Sequence, residues 1–141
     1  MSQENVEIVR RVWAAVERQD TKAVLAFYDP DIVWQDHTDA LELQDHSYQG
    51  HEGVRQFWRE WLEPFETFEA HSEAFIDAGD NVVVGFRLSG RGKASGAQVE
   101  WPLWNVYTIR NGLVIRIQAF ETKGEALQAA GVSEQDAHAD S

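Results

Sequence analysis

Asp36 is the residue whose type and position could most directly support chemistry. It ends a short apolar segment, I-V-W-Q-D, and strand alternation places its carboxylate on the same face as Trp34. A carboxylate set against apolar surroundings can move a proton next to the carbonyl of a bound molecule. The alternative interpretation is an aspartate that caps the following loop, which is a common role for Asp at strand ends.

Three further ionisable side chains could assist such a proton transfer. Glu121 ends the last predicted strand, where a carboxylate is costly unless it is partnered or functional; the alternative is an acid that favours the start of the next helix. His37 and His51 flank an acidic loop and could serve as acid or base; the alternatives are a solvated loop residue for His37 and a first-turn helix residue for His51. The spacing of His and Asp in this loop fits no metal-ligand pattern, so neither a metal nor a cofactor is predicted.

Arg87 is a lone cation in an apolar strand, V-V-V-G-F-R-L. If its side chain points inward, it could pair with Asp36 or Glu121, or hold a carboxylate or enolate of a ligand. If it points outward, it belongs to a dimer or solvent face. The sequence leaves both orientations open, and Arg87 is kept as a candidate ligand contact.

Three helices are predicted in the first half of the chain. An apolar stripe recurs at helical spacing from Ile8 to Val16, and Asp20 reads as the cap of a shorter second helix. Asp29-Pro30 stops that helix because proline cannot continue the hydrogen-bond ladder. Gly50 precedes a third amphipathic helix with a wide aromatic face.

From Phe68 onward the apolar period changes from that of a helix to that of a strand. Four strands are predicted over 68–77, 82–91, 99–110 and 113–121. Asn111-Gly112 predicts a two-residue hairpin between the last two, and T-K-G-E predicts a capping box that opens a final short helix. This order indicates one α+β domain over residues 1–132, followed by a flexible acidic tail over 133–141.

An uninterrupted hairpin pairs Arg110 with Leu113 and so fixes which residues share a face. The face beneath the helices is then predicted to carry Trp104, Val106, Thr108, Ile115, Ile117, Ala119 and Glu121. The opposite face, with Asn105 and Tyr107, would be half-solvated or a dimer contact. A β-bulge would invert this assignment.

The six tryptophans either fill the core or line a pocket for a flat apolar ligand. Trp34 and Trp104 are the better pocket candidates because they lie on the predicted inner face. Trp13, Trp58 and Trp61 are expected mainly to fill the core, with Trp58 kept as a candidate ligand contact. The predicted ligand contacts are thus Trp34, Trp58, Arg87, Trp104, Val106 and Ile117.

Composition excludes several classes of function. The chain has 141 residues, a formal charge of −12 and no cysteine. Such acidity argues against nucleic acid and anionic membranes, which require clustered Lys and Arg. Without cysteine there is no disulfide or thiolate chemistry. We expect no signal peptide and no membrane span, and therefore a cytoplasmic protein.

Several segments, taken in order, resemble the nuclear transport factor 2-like superfamily and specifically its SnoaL-like branch. They are E-N-V-E-I-V-R-R-V-W-A-A-V, D-T-K-A-V-L-A-F-Y-D-P-D-I-V-W-Q-D, Y-Q-G-H-E-G-V-R-Q-F-W, G-R-G-K-A-S-G, Y-T-I-R-N-G-L-V-I-R-I and E-A-L-Q-A-A-G-V. The resemblance implies a cone-shaped α+β fold in which a curved antiparallel sheet carries three N-terminal helices on its concave face and encloses a pocket. It also implies a homodimer, here through the outer sheet face.

The resemblance bears on individual residues. Asp36 lies where ketosteroid isomerases carry a general-base aspartate, and Glu121 lies close to a catalytic aspartate of SnoaL-type cyclases. The oxyanion-hole tyrosine of those isomerases corresponds to Val12, and their protonated aspartate falls near Trp104 or Asn105. Because Val12 donates no hydrogen bond, steroid isomerisation by that mechanism is not expected.

Three functions remain open from the sequence. The first is an enzyme of the isomerase, cyclase or dehydratase type that acts on a small, largely apolar or aromatic molecule without a cofactor. Asp36 would be the base, with His37, His51 or Glu121 as auxiliary groups. The second is a binding or accessory protein that uses the same pocket without chemistry. The third is a dimeric protein-interaction module.

Overall fold

The computed structural model describes residues 2–38 and 47–132, which contain four helices. They are α1 (Ser2–Glu17), α2 (Thr21–Ala26), α3 (Gly50–Leu62) and α4 (Lys123–Ala130). Asp20 caps α2, since its carboxylate accepts a hydrogen bond from the Ala23 amide at 3.1 Å. Thr122 caps α4 in the same way, through the Glu125 amide at 3.2 Å. Both predicted caps are confirmed.

Within the described residues, six strands form one curved sheet in the order β2-β1-β6-β5-β4-β3. Their bounds are β1 Tyr28–Asp36, β2 Ser47–Gln49, β3 Phe65–Ala78, β4 Asn81–Gly92, β5 Gln98–Arg110 and β6 Leu113–Phe120. Neighbours are antiparallel except β1 and β6, which run parallel. The predicted α+β class, with a curved sheet and three N-terminal helices on one face, is therefore confirmed, while the parallel β1–β6 pair departs from the predicted antiparallel sheet.

Two strand predictions need correction. β1 begins at Tyr28, four residues before the predicted start at Ile32, because Pro30 lies inside an irregular stretch of the strand rather than between elements. β2 falls within the segment that was predicted to be loop. Its three residues are too few to show an alternation in the sequence.

Two apolar layers hold the helices to the sheet. The larger one packs α1, α2 and α3 against the inner sheet face, with Val9, Val54 and Val82 fully buried in it. The smaller one packs α4 against the outer face of β3 to β6, around Val83, Val106 and Leu127. The outer face is therefore partly covered by α4 rather than wholly exposed.

A β-bulge in β6 overturns part of the predicted inner face. The hairpin pairs Arg110 with Leu113 and Ile109 with Val114, but Thr108 then pairs with Arg116. Ile115 is the extra residue of the bulge. Its insertion shifts the partner of every β5 residue before Ile109 by one position along β6. Leu103, Asn105, Tyr107 and Ile109 therefore point toward the helices. The inward placement predicted for Trp104 and Val106 is wrong.

The end of α1 is fastened to the edge strand β3. The Glu17 carboxylate accepts hydrogen bonds from the Ser72 amide at 2.9 Å and its hydroxyl at 3.2 Å. The Gln19 side chain donates to the Phe68 carbonyl at 3.1 Å. These bonds satisfy backbone groups that an edge strand would otherwise leave open.

The predicted acidic tail, 133–141, and the centre of the predicted loop, 39–46, lie outside the described residues. Across residues 2–38 and 47–132, no helix is long and apolar enough to cross a membrane.

Candidate functional site

A cavity of about 960 Å³ lies between the inner sheet face and the first three helices. Ten of its described lining residues are aromatic, and several of their rings contact one another. The Trp34 and Phe57 ring centroids are 4.6 Å apart, and those of Trp13 and Phe86 are 4.8 Å apart. Trp58 also lines the cavity. Such a wall favours flat, apolar ligands.

The deep end of the cavity is polar. Asn105 and Tyr107 on β5 line it together with Tyr28 on β1 and Ala119 on β6. Asn105 is only 3% exposed, and its amide Nδ2 donates to the Tyr107 hydroxyl at a long 3.4 Å. The Asn105 Oδ1 atom is buried and has no hydrogen-bond partner within the described part of the chain. A buried carbonyl oxygen that lacks a hydrogen bond is unfavourable.

Both phenols at the deep end are held in the protonated form. Burial raises the pKa of Tyr107 to about 12, against opposing effects of Asn105 and the Trp13 indole. Trp13 Nε1 forms no hydrogen bond to any described residue, so the indole lowers the Tyr107 pKa only because it lies nearby. Burial, and then the neighbouring Tyr107, raise the pKa of Tyr28 well above its ordinary value. At neutral pH both tyrosines are therefore hydrogen-bond donors.

The rim of the cavity is exposed and acidic. It includes Asp20 at the start of α2, and Glu66 and Glu69 on β3. The exposed side chains of Leu62 and Gln98 also line this rim. Among the described residues that line the cavity, none is Lys, Arg or His. The site therefore presents aromatic walls, a polar deep end and a negatively charged entrance.

Asp36 lies next to this cavity but does not line it. Its side chain is 3% exposed, and Oδ1 accepts hydrogen bonds from the Thr38 amide at 3.0 Å and hydroxyl at 2.8 Å. Oδ2 is buried with no partner in residues 2–38 and 47–132. Asp36 pairs in register with Ala119, which pairs on its other side with Asn105. Oδ1 thus caps the following turn, whereas Oδ2 has a free position for a further hydrogen bond or proton.

The other predicted acid–base residues lie away from the cavity wall. The His37 ring is exposed and stacks on Phe120 at 4.8 Å, on the side covered by α4. His51 Nε2 contacts the Tyr28 carbonyl at 2.9 Å, which joins the start of α3 to β1. Glu121 is exposed just before the α4 cap. The structure therefore does not bring these three side chains together with Asp36.

The predicted ligand contacts divide between the two sheet faces. Trp34 and Trp58 line the cavity, while Ile117 is fully buried in the inner core without lining it. Trp104 and Val106 belong to the outer layer under α4. Arg87 also points outward, where it forms ion pairs with Glu73 and Glu100, each at 3.4 Å. The open question about Arg87 is thus resolved in favour of the outer face.

The residues that sequence reasoning missed are the polar ones at the deep end. Tyr28 was placed at the end of a helix, and Asn105 and Tyr107 were assigned to the opposite sheet face. Both errors follow from backbone irregularities that strand alternation does not reveal. The adjacent apolar pair Val114-Ile115 was the signal of a bulge, because strict alternation would put one of them on the wrong face.

No cluster of three or more His, Cys, Asp or Glu side chains that could hold a metal occurs in the described ranges. Asp39, Asp45 and His46 of the acidic loop lie outside them.

The curved sheet with helices on its concave face defines the class of nuclear transport factor 2-like folds. Residues 9–117 match the family model of the SnoaL-like domain. Because that match spans well over half of the chain, the protein belongs to the SnoaL-like family. No curated protein sequence matches the chain.

Solved structures agree with this assignment. A candidate SnoaL-like polyketide cyclase from Jannaschia sp. CCS1 is 27% identical, with a TM-score of 0.70 over 91% of each chain. An NTF2-like protein from Burkholderia thailandensis E264 is 25% identical, with a TM-score of 0.74 over 89% of this chain and 95% of that one. TerC, co-crystallised with polyporic acid, is 19% identical, with a TM-score of 0.74 over 91% of this chain and 98% of that one.

Proposed function

We propose that this protein binds a small, largely apolar molecule in the cavity between the helices and the sheet. The observation that carries the proposal is the combination of aromatic walls with a buried, unpaired acceptor, Asn105 Oδ1, at the deep end. Ligand sites are commonly mostly apolar clefts with a few convergent polar groups. A volume of about 960 Å³ would accommodate a molecule of several rings.

The energetics of the deep end support binding. A buried acceptor without a partner costs about 1–3 kcal/mol, and a core evolved only for stability would replace it with an apolar side chain. A ligand that donates a hydrogen bond to Asn105 Oδ1 recovers that cost while its rings displace water from the aromatic wall. The site thus gains more from being occupied than from being empty.

The similar TerC structure contains polyporic acid, which adds support for an organic ligand in a fold of this shape. At 19% identity it says nothing about which molecule this chain binds. The proposal therefore depends on the cavity of this chain and not on the neighbour's ligand.

The test is to identify and then exclude a ligand. Native mass spectrometry of the gently purified protein should show a bound organic molecule, or members of an aromatic library should raise the melting temperature. The control is Ala119→Leu, which fills the deep end without adding charge and should abolish both effects while leaving the far-UV spectrum unchanged. If no molecule is retained and no library member stabilises the wild type, the binding proposal is wrong.

Cofactor-independent proton transfer is a second candidate, favoured by one observation. Asp36 Oδ2 is buried and unpaired in the described part of the chain, on the same sheet face as Trp34 and paired in register with Ala119. A carboxylate in that position could accept a proton from a ligand carbon next to a carbonyl. Because Asp36 does not line the cavity, the ligand or the Asp36 side chain would have to shift toward the other.

The catalytic candidate is tested by α-proton exchange of 2-tetralone in D₂O, followed by NMR. Asp36→Asn keeps an oxygen that can accept both Thr38 hydrogen bonds but removes the carboxylate, so the protein-dependent exchange rate should fall at least tenfold. Asp31→Asn, an exposed aspartate of the same strand, is the matched control and should have no effect. Equal exchange rates in both variants would exclude Asp36 as the base.

The predicted homodimer through the outer sheet face is a separate proposal. Trp104 is only half-buried there, and Arg87 with its two glutamates lies beside it. Sedimentation equilibrium should give twice the monomer mass, and Trp104→Glu should return the protein to the monomer. A monomer mass for the wild type at all accessible concentrations would contradict the proposal.

A further inference from the structure

We infer that the cavity selects an uncharged ligand whose buried end carries a hydroxyl group, and that it rejects the corresponding carboxylate. This inference rests on the proposed binding function and narrows the chemical class of its ligand. It depends on two independent features, the charge distribution around the cavity and the hydrogen-bonding groups at its deep end.

The charge distribution disfavours an anion. The described lining residues include three carboxylates at the rim, Asp20, Glu66 and Glu69, and no Lys, Arg or His. The segments outside the described ranges contain neither Lys nor Arg, and the whole chain carries a formal charge of −12. A carboxylate or phosphate entering the cavity would pass this acidic rim, where Arg18 pairs with Asp20 at 3.7 Å. It would then lose its hydration without a cation among the described lining residues.

The deep end presents one free acceptor, Asn105 Oδ1, beside the hydroxyl groups of Tyr107 and Tyr28. The cavity wall also carries indole N–H groups, those of Trp13, Trp34 and Trp61, that have no partner among the described residues. Asn105 Oδ1 is buried and unpaired among the described residues, and it lies in the cavity wall. The Asn105 amide donates to the Tyr107 oxygen, so the Tyr107 proton remains for another acceptor. The raised pKa of Tyr107 keeps that proton in place at neutral pH.

A hydroxyl group satisfies both side chains at once. It can donate its proton to Asn105 Oδ1 and accept the Tyr107 proton on its oxygen. A ketone or methyl ether can only accept, and would leave Asn105 Oδ1 buried without a hydrogen bond. A carboxylate likewise has no proton to donate to Asn105 Oδ1. The hydroxyl is therefore the end group that the buried side chains fit.

Four probes with one ring system separate these possibilities: 2-naphthol, 2-methoxynaphthalene, naphthalene and 2-naphthoate. Binding is measured at neutral pH by NMR titration of the tryptophan indole N–H signals. We expect 2-naphthol to bind roughly tenfold or more tightly than 2-methoxynaphthalene, as the cost of an unpaired acceptor requires. We expect no saturable binding of 2-naphthoate.

Variants assign the preference to the deep end. Asn105→Leu removes the acceptor with little change in volume, so 2-naphthol and 2-methoxynaphthalene should then bind equally. Tyr107→Phe keeps the acceptor and should reduce the preference without removing it. Gln128→Leu, at an exposed amide on α4 that does not line the cavity, is the control and should leave the preference unchanged.

The outcomes distinguish this inference from the proposed function. If 2-methoxynaphthalene or 2-naphthoate binds as tightly as 2-naphthol, the hydroxyl preference is wrong while binding in the cavity stands; a water retained at Asn105 would give this result. If Asn105→Leu keeps the full preference, its assignment to Asn105 is wrong. If none of the four probes binds at any soluble concentration, both the inference and the proposed function are contradicted.

Discussion

Asn105 places an amide where the inner sheet face would be more stable with an apolar side chain. Its neighbours in register are Val84 and Ala119, and the next inward residue of its strand is the buried Tyr107. Residues that break the local rule of an apolar core without a compensating bond tend to mark functional sites. At this position the lost stability is consistent with a role in binding.

The cost of Asn105 can be measured directly. Asn105→Leu removes a buried unpaired oxygen and one long hydrogen bond, so the free energy of unfolding should stay equal or rise by about 1 kcal/mol. Urea denaturation followed by tryptophan fluorescence measures this. A loss of more than about 1 kcal/mol would mean that Asn105 is satisfied in solution and serves stability rather than binding.

Tyr107 makes stability depend on pH at the alkaline end. Its pKa is raised from 10.0 to about 12, so the folded state holds a proton that the unfolded state releases. The contribution is complete below pH 10 and is lost as the pH rises toward about 12. The free energy of unfolding should therefore fall across that window, and less steeply in Tyr107→Phe. Equal slopes for both proteins would show that Tyr107 titrates normally.

Individual residues were predictable where alternation is regular. Trp34 and Asp36 share the inner face as the I-V-W-Q-D pattern predicts, and both are buried. Asn105 and Tyr107 were assigned to the wrong face because one extra residue in the partner strand, signalled by the adjacent apolar pair Val114-Ile115, shifts the pairing. The sequence did not indicate which sheet face Arg87 occupies. Its outward orientation follows from the pairing of β3, β4 and β5.

At the scale of elements, the bulge at Ile115 explains why Trp104 lies on the outer face. Trp104 pairs with Gly85 across β4 and β5, and its ring lies over the glycine. A Cβ atom at Gly85 would come within 2.7 Å of that ring, so only glycine leaves room for it. The contact between Gly85 and the Trp104 ring is therefore direct evidence that Trp104 lies on the outer face.

Gly85→Ala tests that register. We expect a loss of about 1–2 kcal/mol in the free energy of unfolding, since the Trp104 ring must move to admit the methyl group. In a Trp104→Ala background the same change should cost much less. Denaturant unfolding of the four proteins in this double-mutant cycle gives the coupling energy. A coupling near zero would contradict the placement of Trp104 over Gly85.

Local chemistry predicted the helices and turns better than the sheet edges. The caps at Asp20 and Thr122 follow from short-range rules, and so does the hairpin at Asn111-Gly112, whose φ values are 53° and 78°. The parallel pairing of β1 with β6 does not, because it joins segments roughly 80 residues apart and leaves no local pattern. The short β2 strand is similarly defined only by its partner.

At the scale of the whole molecule, the fold leaves a cavity beside its packed apolar core. Helices α1 to α3 cover the inner face, and the bonds from Glu17 and Gln19 to β3 hold the end of α1 beside the rim. Element order and motif spacing predicted this architecture and its family. They did not predict the acidic rim or the polar deep end, which form only when distant segments meet.

The most direct test of the account compares two tryptophans during one titration with 2-naphthol. Trp34 lies in the cavity wall, whereas Trp104 lies on the outer face beneath α4. The account predicts a saturable NMR shift of the Trp34 indole N–H, absent in Ala119→Leu, with the Trp104 signal unchanged. A titration that leaves Trp34 unmoved, or that shifts Trp104 instead, would contradict ligand binding in this cavity.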